Sequence, residues 1–298
     1  MTDRRRRLQK NSLLAETRRL LRRFGLRARK GLGQHFLVDE AVLNRIVAEA
    51  ELAPTDVIIE VGSGLGVLTR ELSWRAGRVI AVELDNNLAA ILSQVIAPYD
   101  NVVIINEDVL KVEPADLLTE VDVEKLSRSY KVVANLPYYI TSPVLRHFLE
   151  AEKRPDVMIL MVQKEVAEDI VGRPDRRSLL SISVQLYGQP EIVDSVPAGC
   201  CSPAPEVDSA ILKITPYTQP ALDVGDREGF FTLVRAGFSA SRKQIGNSLA
   251  QGLGVSKDEA LALLMVAGIL PQRRAETLTL EEWAQLWRVF QRKGGLKC

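Results

Sequence analysis

From Thr55 onward, short runs of β-branched and apolar residues alternate with stretches whose apolar residues recur at helical spacing. This alternation constrains the fold more than any other feature of the chain. Continuous apolar runs are typical of parallel strands that helices cover on both faces. We therefore predict an α/β fold with a Rossmann-like sheet, whose strands are expected at residues 56–62, 78–84, 101–108, 130–136 and 156–163.

Two further strands are predicted near the end of this region, at residues 191–197 and 207–214, in an arrangement that permits a hairpin at one edge of the sheet. The stretch 178–188 fits either a strand or a helix. Its alternating apolar residues favour the first, and their overall spacing is compatible with the second.

The pattern changes after residues 215–226, which are rich in proline and turn-forming residues, because only helical periodicity follows. Two pairs, Ser256 with Glu259 and Thr279 with Glu282, have the spacing of capping boxes that open helices. We therefore predict a small all-α C-terminal domain. The predicted divisions are a basic N-terminal arm, a domain that contains the sheet and a helical domain, at residues 1–30, 31–216 and 217–298.

The N-terminal thirty residues contain twelve lysines and arginines against two acidic residues, although the whole chain has a net charge of only +1. Helical spacing puts leucines on one face and arginines, including Arg18 and Arg22, on the other. Ser12 is a predicted N-cap and Gly25 a predicted stop. Three interpretations stay open: an arm that contacts nucleic-acid phosphates, an organelle transit peptide, and a solvated amphipathic helix packed on the body.

The remaining composition argues against a membrane-spanning protein, a disulfide-stabilised protein and a zinc protein. No apolar run approaches the roughly 20 residues that a membrane-spanning helix needs. Cys200, Cys201 and Cys298 do not form a disulfide framework, and with His35 and His147 they supply no zinc-type ligand set. We expect a soluble protein of a reducing cytoplasm, without a metal.

A glycine-rich turn follows the first predicted strand, with Gly62, Gly64 and Gly66 in the order G-x-G-x-G. Glycine permits a tight turn in which backbone N–H groups approach a ligand closely. The dinucleotide fingerprint has its third glycine one position later, where this chain has Val67. The turn indicates an adenosine-containing cofactor only weakly, since some glycine-rich turns of this kind bind nothing.

Two carboxylates end the next two predicted strands. Glu83 follows the glycines by about 20 residues, where a carboxylate accepts hydrogen bonds from ribose hydroxyls. Asp108 stands where a carboxylate can accept a hydrogen bond from an adenine amino group. Either residue alone is compatible with a strand end of no function. Together with the glycine turn they follow the crevice where open α/β sheets bind ligands, without distinguishing a nicotinamide cofactor from S-adenosylmethionine.

The segment Asn135–Tyr138, at the end of the fourth strand, provides the discriminating chemistry. The Asn135 side-chain oxygen and the Leu136 carbonyl are two acceptors that suit the two hydrogens of an amine. Orienting an adenine N6 in this way favours in-line attack on a methyl sulfonium without a strong general base. Tyr138 is expected to stack on a base that is flipped or unpaired. The alternative is a strand-ending loop whose tyrosines pack in the core.

The motifs together resemble the ribosomal RNA adenine dimethyltransferase family, in particular its bacterial small-subunit members. The resemblance runs from about Lys30 to the C-terminus. It is carried by the segments KGLGQHFLVD, EVGSGLGVLT, VELD, NEDVL, ANLPYYITSPV, MVQKEVAEDIV, PAPEVDSAILKI and FSASRKQIGNSL.

The resemblance implies dimethylation of N6 on each of two adjacent adenosines near the 3′ end of 16S rRNA, with S-adenosylmethionine as the cofactor. It also implies a cytoplasmic enzyme that binds the small ribosomal subunit during the assembly of that subunit. We expect a monomer, since nothing in the sequence requires a larger oligomer. The cofactor residues that it implies are His35, Leu37, Gly62, Gly64, Glu83, Asp108 and Asn135. The target-base residues are Asn135, Leu136, Pro137 and Tyr138.

Two departures from the family pattern affect the substrate side. Cys201 stands where the family often has a phenylalanine that stacks on the target base, so we expect Tyr138 to carry more of that stacking. In the segment FSASRKQIGNSL only Arg242 and Lys243 remain for phosphate contact. We hypothesise that the basic N-terminal arm, through residues such as Arg18 and Arg22, compensates.

Three rival functions are weighed. One is a large-subunit rRNA adenine N6-methyltransferase, and another is a ribosome assembly factor that keeps the fold without catalysis. The helical domain after Asp226 argues against the first. Asn135 argues against the second, since a pure binding protein needs no asparagine to orient an amine. The third, a nicotinamide-dependent oxidoreductase, is disfavoured by Val67.

Overall fold

The structure is a computed structural model. It describes residues 13–26, 29, 33–119, 126–127, 129–173, 175–240 and 242–294. The predicted cap at Ser12 lies outside this part of the chain.

A seven-stranded sheet with the strand order β4-β3-β2-β5-β6-β9-β7 forms the centre of the fold. The five strands from β4 to β6 are parallel, and β9 runs antiparallel to β6. The predicted α/β sheet is therefore confirmed. The strands are β2 Val57–Val61, β3 Arg78–Val82, β4 Val102–Ile105, β5 Tyr130–Asn135, β6 Met158–Gln163, β7 Gly188–Val196 and β9 Ser209–Pro216.

The apolar runs of the sequence explain the central strands. Every residue of β2 is buried, and so is nearly every residue of β6, as expected for strands covered on both faces. β4 is an edge strand and all four of its residues are half-buried. A separate two-stranded antiparallel sheet pairs β1, Phe36–Leu37, with β8, Cys201–Ser202.

Helices connect these strands, and aspartate caps open two of them. Asp39 caps α2 by accepting a hydrogen bond from Val42 N, and Asp85 caps α4 in the same way from Asn87 N. The helices of this part of the chain are α1 Leu13–Arg23, α2 Glu40–Glu49, α3 Val67–Ser73, α4 Asn86–Ile96, α5 Pro114–Thr119, α6 Thr141–Glu150 and α7 Lys164–Val171.

Helix α1 packs by its apolar face, as the third interpretation of the N-terminal segment expects. Leu13, Thr17 and Leu20 are buried, and Glu16 forms a two-pronged ion pair with Arg70 on α3, with N–O distances of 2.6 and 3.0 Å. The arginines of the opposite face are exposed. Packing of one face leaves the other available, so phosphate contact by this helix stays a prediction.

The helices after Asp226 begin where the sequence predicts. Both capping boxes are present, at Ser256 with Glu259 and at Thr279 with Glu282. The stretch 178–188, compatible with a strand or a helix, is mainly a helix that Ser178 caps. The helices are α8 Leu179–Tyr187, α9 Arg227–Phe238, α10 Ile245–Leu253, α11 Lys257–Val266 and α12 Leu280–Arg292.

The chain forms two compact units. Unit 1 contains residues 1–167 and 190–216, and unit 2 contains residues 168–189 and 217–298. Residues 168–189 thus belong with the C-terminal helices, although they precede the predicted boundary near Pro216. In unit 2 the indoles of Trp283 and Trp287 are buried, and replacing such a side chain by alanine typically costs about 3–5 kcal/mol.

Among the described residues, no helix combines the length and the apolar character that crossing a bilayer requires.

Candidate active site

A cavity of about 390 Å³ opens in unit 1 at the carboxyl ends of β2, β3 and β5, a size within the roughly 300–1,000 Å³ of small-molecule sites. Strand β2 lies between β3 and β5, so the chain reverses its direction of progress across the sheet here. Open α/β sheets bind ligands at such a switch point. The predicted residues that line the cavity are His35, Leu37, Gly62, Gly64, Glu83, Asp108, Asn135, Leu136 and Pro137.

The floor of the cavity is the glycine turn. Gly62 and Gly64 have positive φ angles of 72° and 56°, which residues with a side chain rarely adopt. A Cβ on Gly62 would lie 3.4 Å from Pro137, and one on Gly64 would lie 3.4 Å from the ring of Phe36. The backbone is therefore exposed to the cavity because neither position carries a side chain.

Glu83 forms one wall and is 6% exposed. Its two carboxylate oxygens accept hydrogen bonds from Gly64 N at 2.8 Å and from Asp85 N at 2.9 Å. Burial raises the pKa of this carboxyl, although the two backbone donors oppose that effect. Each oxygen retains a lone pair, so Glu83 can accept two further hydrogen bonds from hydroxyl groups in the cavity.

Asp108 is half-buried beyond Glu83. One of its oxygens accepts a hydrogen bond from Leu110 N at 3.1 Å, which fixes the carboxylate at the start of a short 3₁₀ turn. The side chain of Asn106 joins the two strand ends by donating to the Glu83 carbonyl at 2.8 Å. Asp108 and Glu83 are thus held by the chain itself at neighbouring strand ends.

These groups fit the predicted nucleoside cofactor. The glycine floor permits close approach of a ligand to the backbone, and Glu83 and Asp108 supply acceptors for hydroxyl and amino groups. Leu84, 56% exposed, and the buried Val109 add apolar lining beside the two carboxylates, as a flat base requires.

The segment before α2 crosses the cavity and is held by the segment before β9. Strand β1 pairs with β8, and Val38 N donates to Cys200 O at 2.9 Å. His35 Nδ1 lies 2.8 Å from Pro203 O. Because a carbonyl oxygen only accepts hydrogen bonds, Nδ1 of His35 is the donor in this contact.

Asn135 is oriented by this same segment. Its side-chain nitrogen donates to the backbone carbonyl of His35 at 3.0 Å. Since that carbonyl only accepts, the nitrogen must face it, and Oδ1 remains to accept from another group. Leu136 N donates to Met161 O at 3.2 Å, and Pro137 follows in an extended conformation. Hydrogen bonds therefore hold both Asn135 and Leu136 at the strand end where the chemistry of an amine is predicted.

Tyr138 is half-buried and is not among the described residues that line the cavity. Its hydroxyl is 2.7 Å from Ser209 Oγ, and its ring lies 5.7 Å from the His35 ring at an angle of 23°. Burial raises the pKa of Tyr138. Ser209, 1% exposed, thus fixes Tyr138, and nothing in the sequence pattern of Ser209 indicates this contact.

Cys201, where the resemblance implied an aromatic residue in the family pattern, is buried and packs in the hydrophobic core with Leu37 and Leu43. Burial raises the pKa of its thiol to about 12, so the thiol stays protonated at neutral pH. Within the described chain, Cys201 does not line the cavity. His35 is the aromatic ring next to Tyr138.

Two further features of the cavity are missing from the sequence predictions. Arg29 and Gln34 both contact Asp85 Oδ2 at 3.4 Å, which joins the crossing segment to the strand end at Glu83. Glu60, 1% exposed, has its pKa raised to about 8 by burial and accepts a hydrogen bond from Thr69. For the contacts of Arg29 and Gln34 with Asp85, the only indication in the sequence is that Asp85 lies close to Glu83.

The predicted RNA-binding cations are exposed, and none of them is among the described residues that line the cavity. Arg18 and Arg22 belong to the outer face of α1, in unit 1. Arg242 and Lys243 precede α10, in unit 2. Their contact with RNA stays a prediction.

Comparison with known proteins adds independent findings. The model of the ribosomal RNA adenine dimethylase family matches residues 25–292. A ribosomal RNA small subunit methyltransferase A of Dehalococcoides mccartyi is 54% identical over 94% of both chains. One of Moorella thermoacetica is 45% identical over 91% of this chain and 96% of its own.

Two solved structures share the fold. A dimethyladenosine transferase from Plasmodium falciparum has a TM-score of 0.72 and 23% identity, covering 88% of this chain and 99% of its own. The 23S rRNA methyltransferase ErmE has a TM-score of 0.64 and 28% identity, covering 86% of this chain and 99% of its own.

Proposed function

Because this chain belongs to the ribosomal RNA adenine dimethylase family, we propose that it dimethylates N6 of two adjacent adenosines in the 3′-terminal hairpin of 16S rRNA. The chain is an rRNA-modifying methyltransferase. The observation that carries the choice of substrate is the 54% identity to a small subunit methyltransferase A over 94% of both chains. The likeness to a 23S enzyme, at 28% identity, supports a large-subunit target less.

S-adenosylmethionine, when bound, supplies an electrophilic methyl group. The residues that would hold it are His35, Leu37, Gly62, Gly64, Glu83, Asp108 and Asn135. Glu83 would accept from ribose hydroxyls with its remaining lone pairs, and Asp108 would accept from the adenine amino group. The positive φ angles of the glycines and the burial of Glu83 support these roles.

Asn135, Leu136, Pro137 and Tyr138 would hold the target adenine. The hydrogen bond from Asn135 Nδ2 to the His35 carbonyl leaves Oδ1 to accept from the exocyclic amine. Together with the Leu136 carbonyl, Oδ1 would favour the pyramidal amine, whose lone pair is available for attack. As positive charge develops on N6, the two acceptors stabilise it, so no strong general base is needed.

In this proposal the tyrosines stack on the target adenine. Tyr138 is held by Ser209 and His35, whereas Tyr139 is 57% exposed and lines the cavity. Base–aromatic stacking is worth about 1–3 kcal/mol per base. A base paired within a duplex does not reach such a site, so the target adenosines would be unpaired or flipped.

The partner would be the small ribosomal subunit, met by a monomer in the cytoplasm during subunit biogenesis. Arg18 and Arg22 on α1 and Arg242 and Lys243 before α10 would contact phosphates, which the exposure of all four side chains supports.

Methyl transfer to unmethylated small subunits, unmethylated large subunits and duplex DNA tests the proposal. After digestion, the nucleosides are separated by mass. We expect N6,N6-dimethyladenosine from the small subunit alone. Dimethyladenosine from the large subunit alone would assign the rival substrate, and particle binding without any transfer would identify a non-catalytic assembly factor.

A further inference from the structure

A tight turn between α7 and α8 places two arginines side by side in unit 2. Arg173 N donates to Arg176 O at 3.3 Å, and Arg176 N donates to Arg173 O at 3.0 Å, which forms an isolated antiparallel bridge. Residues directly opposite each other in such a bridge carry their side chains on the same face, about 4.5–5.5 Å apart at Cβ. Both side chains are exposed. Two like charges therefore face solvent together.

The turn is fixed at both ends. The Gln185 side chain donates to the carbonyls of Ile170 and Val171 at 3.0 and 2.9 Å, just before the turn. Ser178, just after it, caps α8 and donates to Asp169 at 2.5 Å. This anchoring keeps the two arginines close, although opposed like charges destabilise a bridge.

Within the part of the chain that the structure describes, no acidic side chain pairs with either arginine. Among the residues that the structure describes, the guanidinium groups of Arg173 and Arg176 have no ion pair and no hydrogen bond. Asp169, the acidic residue nearest the start of the turn, is bonded to Ser178. Asp175, inside the turn, is exposed and forms no ion pair in the described chain. An external anion would relieve the repulsion.

Two backbone hydrogen bonds connect the end of this turn, through the segment 273–276, to the start of α10, which follows Arg242 and Lys243 in the sequence. Arg177 N donates to Glu276 O at 2.8 Å, and Ile245 N donates to Arg273 O at 2.7 Å. The segment 273–276 is therefore bonded both to the residue that follows the turn and to the first residue of α10. Its own Arg274 has a side chain that is 55% exposed and pairs with Glu276 at 3.6 Å. Backbone hydrogen bonds thus join three distant parts of the sequence, each of which carries exposed arginine or lysine side chains close to the bonded residues in sequence.

We propose that Arg173 and Arg176 form a phosphate clamp for RNA that extends the Arg242–Lys243 surface. The inference rests on the proposed function, which supplies RNA as the anion. Arginine suits the task because its planar guanidinium donates two parallel hydrogen bonds to one phosphate, which lysine does not. Contacts of this kind position an RNA without reading its sequence.

The test is the affinity for unmethylated small ribosomal subunits, measured over a range of salt concentrations. The variant is Arg173→Gln with Arg176→Gln, and the matched control is Arg45→Gln with Arg75→Gln. The control removes the same charge from two arginines of unit 1 that are already paired with Glu49 and Glu71. A second variant, Arg173→Lys with Arg176→Lys, keeps the charge and removes the planar guanidinium groups that donate two parallel hydrogen bonds.

We expect the glutamine variant to bind about ten-fold more weakly at 0.1 M salt than the control. The slope of log affinity against log salt should fall by about 1–2, because roughly one counterion is released per phosphate contact. The lysine variant should keep most of the slope and bind with intermediate affinity. Equal affinity and slope in the glutamine variant and its control would overturn the clamp.

Failure of the clamp and failure of the proposed function are separable. The wild-type protein reports the function by methylating small subunits, and this readout does not depend on the variants. If transfer occurs and the arginine variants bind like the control, only the clamp is wrong. If the wild type methylates large subunits instead, the substrate assignment is wrong, and the same comparison on that particle decides the clamp.

Discussion

The cavity in unit 1 and the cationic surface of unit 2 hold their polar groups in opposite ways. In the cavity, Glu83 is 6% exposed and both of its oxygens are bonded to backbone N–H groups. On the surface, Arg173 and Arg176 are exposed, and their guanidinium groups have no acceptor within the described chain. The first region is organised before any ligand arrives. In our proposal the second acquires its acceptors from a partner, so changes in the two regions should affect different steps.

The largest expected effect is that of Asn135→Ala, which removes the acceptor whose orientation the His35 carbonyl fixes. By analogy with the loss of one oriented group that stabilises developing charge, kcat should fall by about 10²–10³-fold. Steady-state assays on small subunits would measure this. Affinities for S-adenosylhomocysteine and for the particle serve as controls and should largely survive. Turnover within a few-fold of the wild type would remove Asn135 from the mechanism.

Next in size is Glu83→Gln, which keeps the shape of the side chain and removes its charge. Hydrogen bonds to a charged acceptor are worth about 1.5–3 kcal/mol, so affinity for S-adenosylhomocysteine should fall by about 10–100-fold. Calorimetric titration would show it. The matched change Glu71→Gln removes a carboxylate from α3, outside the cavity lining that the structure describes. If both variants bound the nucleoside equally, Glu83 would have no role in holding it.

The burial of the Glu60 carboxyl predicts that the free energy of unfolding depends on pH. Burial raises its pKa from 4.5 to about 8, so the folded state holds a proton that the unfolded state loses. This contribution is complete below about pH 4.5 and disappears as the pH rises through about 8. Between those values the wild type should lose up to about 1.4 kcal/mol per pH unit relative to Glu60→Gln. Urea unfolding of both proteins at pH 6, 7 and 8 checks this, and a constant difference would refute the raised pKa.

A smaller effect is expected from Ser209→Ala, which frees the hydroxyl of Tyr138. The bond should be worth about 1 kcal/mol, so kcat/KM should fall by about five-fold. The control is the same change in a Tyr138→Phe background, where the bond is already absent. If Ser209 positions the base through Tyr138, Ser209→Ala should cause no further loss of kcat/KM in the Tyr138→Phe background. Losses that multiply would show that the two residues act independently.

The smallest expected effect concerns α1. Arg18→Gln with Arg22→Gln should weaken binding to small subunits about two- to five-fold and lower the salt slope by about 1. Both side chains are exposed, so the melting temperature should stay unchanged and serves as the control. An unaltered salt slope would leave the packing of Leu13 and Leu20 as the function of this helix.

The sequence predicts the cavity well because short-range patterns determine it. Gly62, Glu83, Asp108 and Asn135 each follow an apolar run, and parallel strands bring their carboxyl ends to one edge. Contacts between distant segments are not predictable in this way. The bond between Tyr138 and Ser209 joins residues 71 positions apart, and neither residue has a pattern that indicates the other.

The sequence does not decide whether residues 178–188 form a helix or a strand, because here too the outcome depends on packing against other segments. Ile182, Val184 and Leu186 alternate, but all three are buried in a helix that Ser178 caps, since both faces of α8 are covered. A helix buried on several sides has no clear polar face, so periodicity does not separate it from a strand. The arginine turn before it is likewise visible only once the backbone bridge is known.

The central claim is that the cavity determines the chemical step and the exposed cations determine the encounter with the particle. Single-turnover methyl transfer, measured against the concentration of small subunits, tests it for Asn135→Ala and for Arg242→Gln with Lys243→Gln. The claim predicts that Asn135→Ala lowers the maximal rate about 10²–10³-fold at an unchanged half-saturating concentration. The surface variant should raise the half-saturating concentration and keep the maximal rate. A maximal rate that falls equally in both variants would contradict the claim.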